Sequence, residues 1–505
     1  MQRTDYIKTA LAALFIALIY VVLSQRIEAG GGGSLLIIAA MIGGYMALNI
    51  GANDVANNVG PAVGAGALTL LGAIAIAAVF EAGGALVAGG DVVSTIKKGI
   101  IDPALISDPN VFIWLMMAAL LAAAIWLNIA TYFGAPVSTT HSIVGGVLGA
   151  GIAAAGWEIA NWGTMGKIAA SWVISPVLGG VIAASFLYLL KRTIIFRADK
   201  IAAAQKMVPV LVAIMMWAFS VYLILKGLKK LWKADIYTAT GIGFAIAVVV
   251  FLVVRPMVKK ASAKLTNDRE SIGDLFVIPL ILSAAMLSFA HGANDVANAV
   301  GPLAAINDAV MHSEVASKAE IPLWVMMIGA LGIAIGLLLF GPKLIKTVGS
   351  EITELDKMRA FCVALAASIT VIIASQLGLP VSSTHIAVGG VFGVGFLREY
   401  LESNHNRLLA EIRDHYEGEP PEVVEAFLHR FEAADISEQG ALLAEMKKAR
   451  SLHKADHKRL RKAYKKELVK RSMVVKIAAA WVITVPAAGG MAAVLYFAIR
   501  GVMSA

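Results

Sequence analysis

The chain has one cysteine among 505 residues, Cys362, and it lies in an apolar run. One thiol closes no internal disulfide and builds no cysteine-based metal centre, so a secreted disulfide scaffold is excluded. Charge is scarce as well. Asp, Glu, Lys and Arg make up 15% of the residues, against about 25% in soluble domains. A disordered chain or a free nucleic-acid-binding protein would need far more. The HExxH and GxSxG strings of common hydrolases are missing too. What fills the chain is apolar: 59% hydrophobic residues, with a mean hydropathy of +0.77. That composition is that of an all-α polytopic membrane protein. The excess of 43 Lys and Arg over 34 Asp and Glu fits basic cytoplasmic loops, with no nucleic-acid partner required.

The charge is also unevenly spread. Residues 398–471 hold 16 Lys and Arg and 14 Asp and Glu in 74 positions, while the other 431 residues hold 47 charged groups. This stretch reads as a soluble helical insert, broken at "EGEPPE". His453 and His457 stand at i, i+4 within it, where a solvated helix face is the plainer reading than a metal pair. Its basic end, 447–471, is placed to touch anionic lipid.

Apolar segments long enough for membrane spans fall near 8–25, 35–53, 68–90, 111–133, 140–157, 168–190, 207–225, 237–255, 275–293, 322–342, 359–378, 384–397 and 473–499. The expected count is twelve to thirteen, because 140–157 and 384–397 are short and Gly-rich and can re-enter instead of crossing. The first segment is read as a span and not as a signal peptide. Loops 191–206 and 255–269 carry five basic residues each, and 226–233 carries four. With thirteen crossings, the first two loops and the insert share a side. That side is expected to be cytoplasmic, with the N-terminus inside and the C-terminus outside.

The strongest signal is internal repetition. "GANDVANNVGP" at 51–61 recurs as "GANDVANAVGP" at 292–302, and "PVSTTHSIVGGVLGAG" at 136–151 as "PVSSTHIAVGGVFGVG" at 380–395. "KIAASWVISP" at 167–176 recurs as "KIAAAWVITV" at 476–485. The expected organisation is an extra span at 1–34, a first repeat at 35–190 and linking spans with basic loops at 191–270. A second repeat follows at 271–397 with 472–505, interrupted by the insert at 398–471. Equivalent spans are an odd number apart, so the repeats are inverted, as in secondary transporters that bind substrate between the halves.

The repeated strings carry the chemistry. A carboxylate inside an apolar span costs several kcal/mol unless it is paired, protonated or bound to a cation, and Asp54 and Asp295 place one in each half. Asn53 with Asn57, and Asn294 with Asn298, are spaced to share a helical face. Their amide oxygens, with the carboxylates, are hard ligands suited to alkali cations. Gly51 and Gly292 can let the helix break there; the bland alternative is that the asparagines only bind helices together. In the second string, proline followed by Ser138, Thr139 and Thr140, or by Ser382, Ser383 and Thr384, reads as a helix start. Free N–H groups and hydroxyls there make an oxyanion site, and plain N-capping is the alternative. His141 and His385 are expected to make structural hydrogen bonds. Glu81 is an intramembrane acid with no counterpart in "MIGALGIAIG", a cation site, a proton relay or a buried pairing. His291 precedes the second motif only; Ile50 stands at its place in the first.

The doubled "GANDVAN", the doubled "PVS(T/S)TH" and "FEAGGALVAGGDVVSTIKKGIID" together resemble the PiT inorganic phosphate transporters over nearly all of the membrane part. The resemblance implies no enzyme but a cation-coupled phosphate symporter in a bacterial inner membrane, working by alternating access and built as a homodimer. It implies phosphate held by Ser138, Thr139, Thr140, Ser382, Ser383, Thr384, Asn57 and Asn298. It implies a coupling cation at Asn53, Asp54, Asn294, Asp295 and Glu81, with no cofactor and no metal beyond a sodium at Asp54 and Asp295. Sodium is the expected coupling ion and the proton its alternative. Sulfate carried on the same architecture is the alternative substrate, and a channel or an intramembrane metallohydrolase are readings from other classes. The late position of the insert departs from relatives whose large polar segment lies between the halves.

Overall fold

A computed structural model describes residues 3–28, 31–133, 135, 137–229, 232–312, 321–350, 355–415, 421–433, 442 and 471–504. His453, His457 and the basic tract 447–470 lie outside these residues. The described chain is helical, and eleven of its helices are long and apolar enough to cross a membrane. The expected thirteen apolar segments all fall on helices. The two short ones differ from the rest: 140–157 lies on a 17-residue helix, and 384–397 is the apolar start of a 33-residue helix that continues to His415.

The membrane part is built from α1 (Arg3–Ser24), α2 (Gly31–Asn53), α3 (Ala56–Gly64), α4 (Leu70–Ala88), α5 (Gly90–Lys98), α6 (Pro109–Tyr132), α7 (Thr139–Ala155), α8 (Trp162–Leu190), α9 (Lys200–Tyr222) and α10 (Ile236–Ser262). It continues through α11 (Arg269–Asp274), α12 (Val277–Asp295), α13 (Ala297–His312), α14 (Leu323–Ser350), α15 (Lys357–Gln376) and α16 (Ser383–His415). α17 (Pro421–Ala433) belongs to the insert, where Ile412, Leu428, Phe431 and Leu442 bury together, and α18 (Arg471–Met503) closes the chain.

Local sequence explains the ends. Asp108 accepts from Asn110 N ahead of Pro109 at the start of α6, a capping residue followed by a proline that needs no N–H there. Gly156 stops α7 at φ 83° and Gly378 turns the chain after α15 at φ 65°, both in the left-handed region that glycine enters without a Cβ penalty. Outward faces are apolar: Leu14 is 63% exposed and Leu252 61%. In a chain with this little charge, such faces meet hydrocarbon.

The repeats interleave. By sequence, α2 is equivalent to α12, α4 to α14, α6 to α15, α7 to α16 and α8 to α18. α2 packs along α14 while α12 packs along α4, and α7 packs along α18 while α16 packs along α8. Each helix therefore lies against the other half. Glycine makes the seams close. A Cβ on Gly51 would fall 1.9 Å from the Ile333 carbonyl oxygen, and one on the equivalent Gly292 2.2 Å from that of Glu81. Gly51 and Gly292 thus serve helix contact. The expected break at these glycines is displaced: the chain departs from regular helix at 54–55 and at 296, beside the two aspartates.

One end of the molecule is basic. Lys191 lies within electrostatic reach of Arg269, Arg359, Arg398 and Asp356, so the end of α8, the start of α11 and the start of the insert share a side. At the far end of α8, Asp102 N donates to Ile159 O (2.8 Å) and Asn161 N to Ile100 O (3.0 Å).

Candidate functional site

The site grows from the connections between α6 and α7 and between α15 and α16. Each is tied down by an asparagine. Asn53 donates to Thr131 Oγ1 (2.9 Å) and Ala135 O (3.2 Å) and accepts from Val137 N (3.2 Å). Asn294 donates to Ser375 Oγ (3.0 Å) and Leu379 O (3.2 Å) and accepts from Val381 N (3.4 Å). The partners are equivalent residues of the two repeats, so one bonding pattern is drawn twice. Both asparagine side chains are spent on anchoring a turn. Asn53 and Asn57 do not share a helical face, because the chain is interrupted between them.

The anchored turns deliver the starts of α7 and α16 to one buried cluster. Thr139 Oγ1 lies 2.6 Å from Asp54 Oδ2 and 3.2 Å from Asp295 Oδ2. Thr384 Oγ1 donates to Asp54 Oδ1 and accepts from Asn57 Nδ2 (2.8 Å). Asn298 Nδ2 donates to Thr139 Oγ1 (3.0 Å) and Thr140 Oγ1 (3.2 Å), and Ser383 Oγ lies 3.5 Å from Asp295 Oδ2. Thr140 Oγ1 crosses to the carbonyl of Val381 at 2.9 Å. Acids and hydroxyls from both halves thus meet at one point, every one of them buried.

Ser138 and Ser382 play a different part. Their oxygens accept from the backbone N–H of His141 (3.1 Å) and His385 (3.2 Å), which caps the two helices. The first N–H groups of a helix have no intrahelical partner, so the helix starts bring free donors and positive dipole ends to the cluster. Some buried acceptors of the GANDVAN segments are bare. Asn57 Oδ1, Asn58 Oδ1, Asn298 Oδ1 and Asp295 Oδ1 are buried and receive no hydrogen bond. A buried oxygen without a donor is costly, and a set of such oxygens is the ligand type a hard cation takes.

Glu81 reaches this cluster through a neighbour. Its Oε1 accepts from Asn58 Nδ2 (2.7 Å) and its Oε2 lies 2.6 Å from His291 Nδ1. The other ring nitrogen, Nε2, is 3.0 Å from Asp295 Oδ2, a contact too oblique for an aligned hydrogen bond. Asp54, His291 and Asp295 each offer an atom within 4.8 Å of the others. His291, unmatched in the repeat, is the member given no role by the sequence. Its signal was its lack of a repeat partner, a property it shares with Glu81.

His385 does not make the structural hydrogen bond expected of it, whereas His141 faces the backbone of Trp481. Their rings meet edge to face at 4.4 Å, with Trp172 tilted against His141 (3.8 Å) and Trp481 stacked on His385 (3.6 Å), and neither nitrogen of His385 has a partner.

A family model described as "Phosphate transporter family" matches residues 50–492. A protein of Helicobacter pylori strain J99 named "Putative phosphate permease" is 53% identical, over 98% of this chain and 96% of its own length. One of the same name from Chlamydia trachomatis serovar D is 39% identical, over 72% of this chain and 90% of its own. Among solved structures, "The sodium-dependent phosphate transporter" aligns with a TM-score of 0.76 at 32% identity, covering 92% of this chain and 99% of that one.

Proposed function

Because the chain belongs to the phosphate transporter family, and so is a membrane transporter and not an enzyme, we propose that it carries inorganic phosphate in symport with sodium. The observation that carries this reading is the buried meeting of two aspartates and two helix starts, drawn from both repeats, with Asn57, Asn298 and Asp295 of that cluster each keeping a donor-free oxygen. Helix N-termini with hydroxyls suit a tetrahedral oxyanion, and oxygen-only ligands suit sodium. The named solved neighbour, a sodium-dependent transporter, supports sodium over the proton.

The cluster suggests how the two substrates are coupled. Thr139, Ser383 and Thr384 point their single protons at Asp54 or Asp295. A hydroxyl donates one proton, so it cannot serve a carboxylate and a phosphate oxygen together. Sodium at the carboxylates of Asp54 and Asp295 competes for those oxygens and frees the hydroxyls for phosphate, which Asn57, Asn298 and Thr140 flank. Phosphate in turn offsets the cation's charge. Asn53 and Asn294 hold the turns and do not act as ligands.

Alternating access follows from the repeats. Counting the α6–α7 pair as a hairpin or as two crossings changes the span number by two, so equivalent helices stay an odd number apart and the halves face opposite ways. Rocking one interleaved half against the other opens the shared cluster to each side in turn. We place the basic end, the N-terminus and the insert in the cytoplasm of a bacterial inner membrane, the C-terminus outside, and two copies in a homodimer.

Uptake of labelled phosphate into proteoliposomes, with a sodium gradient against choline at fixed pH, tests the reading. Sodium-driven accumulation is expected; accumulation equal in choline would refute sodium coupling, and none in either would refute phosphate symport. Asp54→Asn should abolish accumulation while leaving membrane insertion intact.

A further inference from the structure

α6 ends at Tyr132 and α15 at Gln376. The register that matches 136–151 with 380–395 makes these two residues equivalent. Each gives its carbonyl to a lysine. Lys343 Nζ donates to Tyr132 O (3.2 Å), and Lys226 Nζ to Gln376 O (3.3 Å). The last carbonyls of a helix lack intrahelical partners, and a cation is favourable there, so one capping lysine is ordinary. A pair on the same atom of both repeats is not, because the two lysines are unrelated. Gly292 on the Glu81 carbonyl and Gly51 on that of Ile333 set the register of α4 against α14, and in that register Lys343 matches Asp91. The first half has no lysine at that place. Lys226 comes instead from Leu223–Gly227, the π-helical segment that continues α9. This segment packs on α4, the equivalent of α14: a Cβ on Gly227 would fall 2.8 Å from Val87 Cγ1. Two lysines of different origin thus converge on one position of the repeat.

What that position does follows from its neighbours. One residue earlier, Thr131 and Ser375 accept from the asparagines that anchor the connections to α7 and α16. Those bonds stay inside a repeat: Asn53 and Thr131 belong to the first, Asn294 and Ser375 to the second. The lysine bonds do not. Lys343 belongs to the second half and grips the first, while Lys226, carried outside both halves, grips the second. Thr95 of the first half adds a bond of 2.8 Å to the carbonyl of Gly378, just past the end of α15. Rocking of one half against the other leaves the asparagine bonds whole and pulls on the lysine bonds.

We propose that Lys343 and Lys226 are positioning residues that latch two gates, one at the end of α6 and one at the end of α15. Each holds closed the connection that carries the site hydroxyls of its repeat, and opening of that side releases it. This rests on the alternating-access reading and deepens it. Inverted repeats point α6 and α15 to opposite sides, so the two latches serve opposite gates. Both are made in the structure, where Asp54, Asp295, Thr139 and Thr384 are buried together. The lysines act through the helix ends and not as ligands of phosphate or cation.

Cysteine labelling of the purified full-length chain tests this, with the melting temperature as second readout. Val137 and Val381 are equivalent, buried, and stand in the two connections, so Val137→Cys and Val381→Cys report on the two gates. The native Cys362 is fully buried. Lys343→Met should speed the reaction of Val137→Cys with a water-soluble maleimide by about fivefold or more, the population shift that loss of one charged hydrogen bond supports. It should leave Val381→Cys within about twofold, since that latch is untouched. Lys226→Met should do the reverse. Lys343→Arg and Lys226→Arg keep a cation and its donors, and each should stay within about twofold of the native rate. Methionine variants that lower the melting temperature but leave both reporters at their native rates would make the lysines helix caps only and overturn the proposal. A rise at both reporters from either variant would overturn it too. If a methionine variant does not survive purification, Lys343→Gln and Lys226→Gln decide by the same criterion. Reporters that, with both lysines native, react at one rate with and without sodium and phosphate would instead overturn the alternating-access reading itself.

Discussion

Thr384 shows what one atom does in the cluster. Its hydroxyl donates to Asp54 and receives the amide of Asn57, so Thr384→Val strands a buried acceptor and a buried donor at once. Stranding such groups costs about 1–3 kcal/mol. The expected outcome is a lower melting temperature for the purified protein and phosphate uptake reduced by about tenfold or more. Uptake equal to the native rate would remove Thr384 from the site. The residue types here were legible in advance, since carboxylates and hydroxyls buried in an apolar chain have few other uses. Their partners were not. Asn53 and Asn57 look alike in sequence, yet one anchors a turn and the other faces Thr384, because the chain leaves regular helix between them. Glu81 was legible as an unmatched acid and His291 as an unmatched base, but their 2.6 Å contact joins positions 210 residues apart, beyond the reach of any local pattern.

At the scale of elements, the seams set the tolerance. A Cβ on Gly149 would stand 2.2 Å from the Gly489 carbonyl oxygen, and one on the equivalent Gly393 2.1 Å from that of Gly180. Backbone cannot yield as a side-chain tip does, so Gly149→Ala should force α7 from α18 at a cost of about 1–3 kcal/mol, or more. Gly490→Ala is the control: nothing lies within 4 Å of the added carbon, and alanine's helix propensity makes that change neutral or stabilising by up to about 1 kcal/mol. Thermal unfolding in detergent compares the two, and an equal melting temperature would mean that this seam is not tight. The helices themselves were readable from hydropathy, because a span must be long and apolar. The short pair at 140–157 and 384–397 was ambiguous for the reason that makes it useful: each begins with polar residues at a buried turn, where a hydropathy count falls short.

The whole molecule carries a prediction about sidedness. Cys362 is fully buried, so the native chain offers little background to a thiol label. Trp157 is 68% exposed beside Trp162, their rings stacked at 5.9 Å, an aromatic pair of the type that marks a membrane interface. Trp157→Cys should react with a membrane-impermeant maleimide added outside intact cells, and Arg197→Cys should react only after permeabilisation. The reverse pattern would invert the proposed orientation. Duplication was plain from the repeated strings, but which helix of one half lies on which of the other was not, since a repeat fixes equivalence and not contact. That crossed pairing bears on biosynthesis. The glycine seam of α7, which ends at Ala155, is closed by α18, which begins at Arg471. At about 5–20 residues per second, the ribosome needs roughly 15–60 s to supply it. Until then α7 waits in the bilayer or the insertion machinery with its partner unmade, so a chain stalled or truncated before residue 471 should be a substrate for membrane proteases and not half of a transporter.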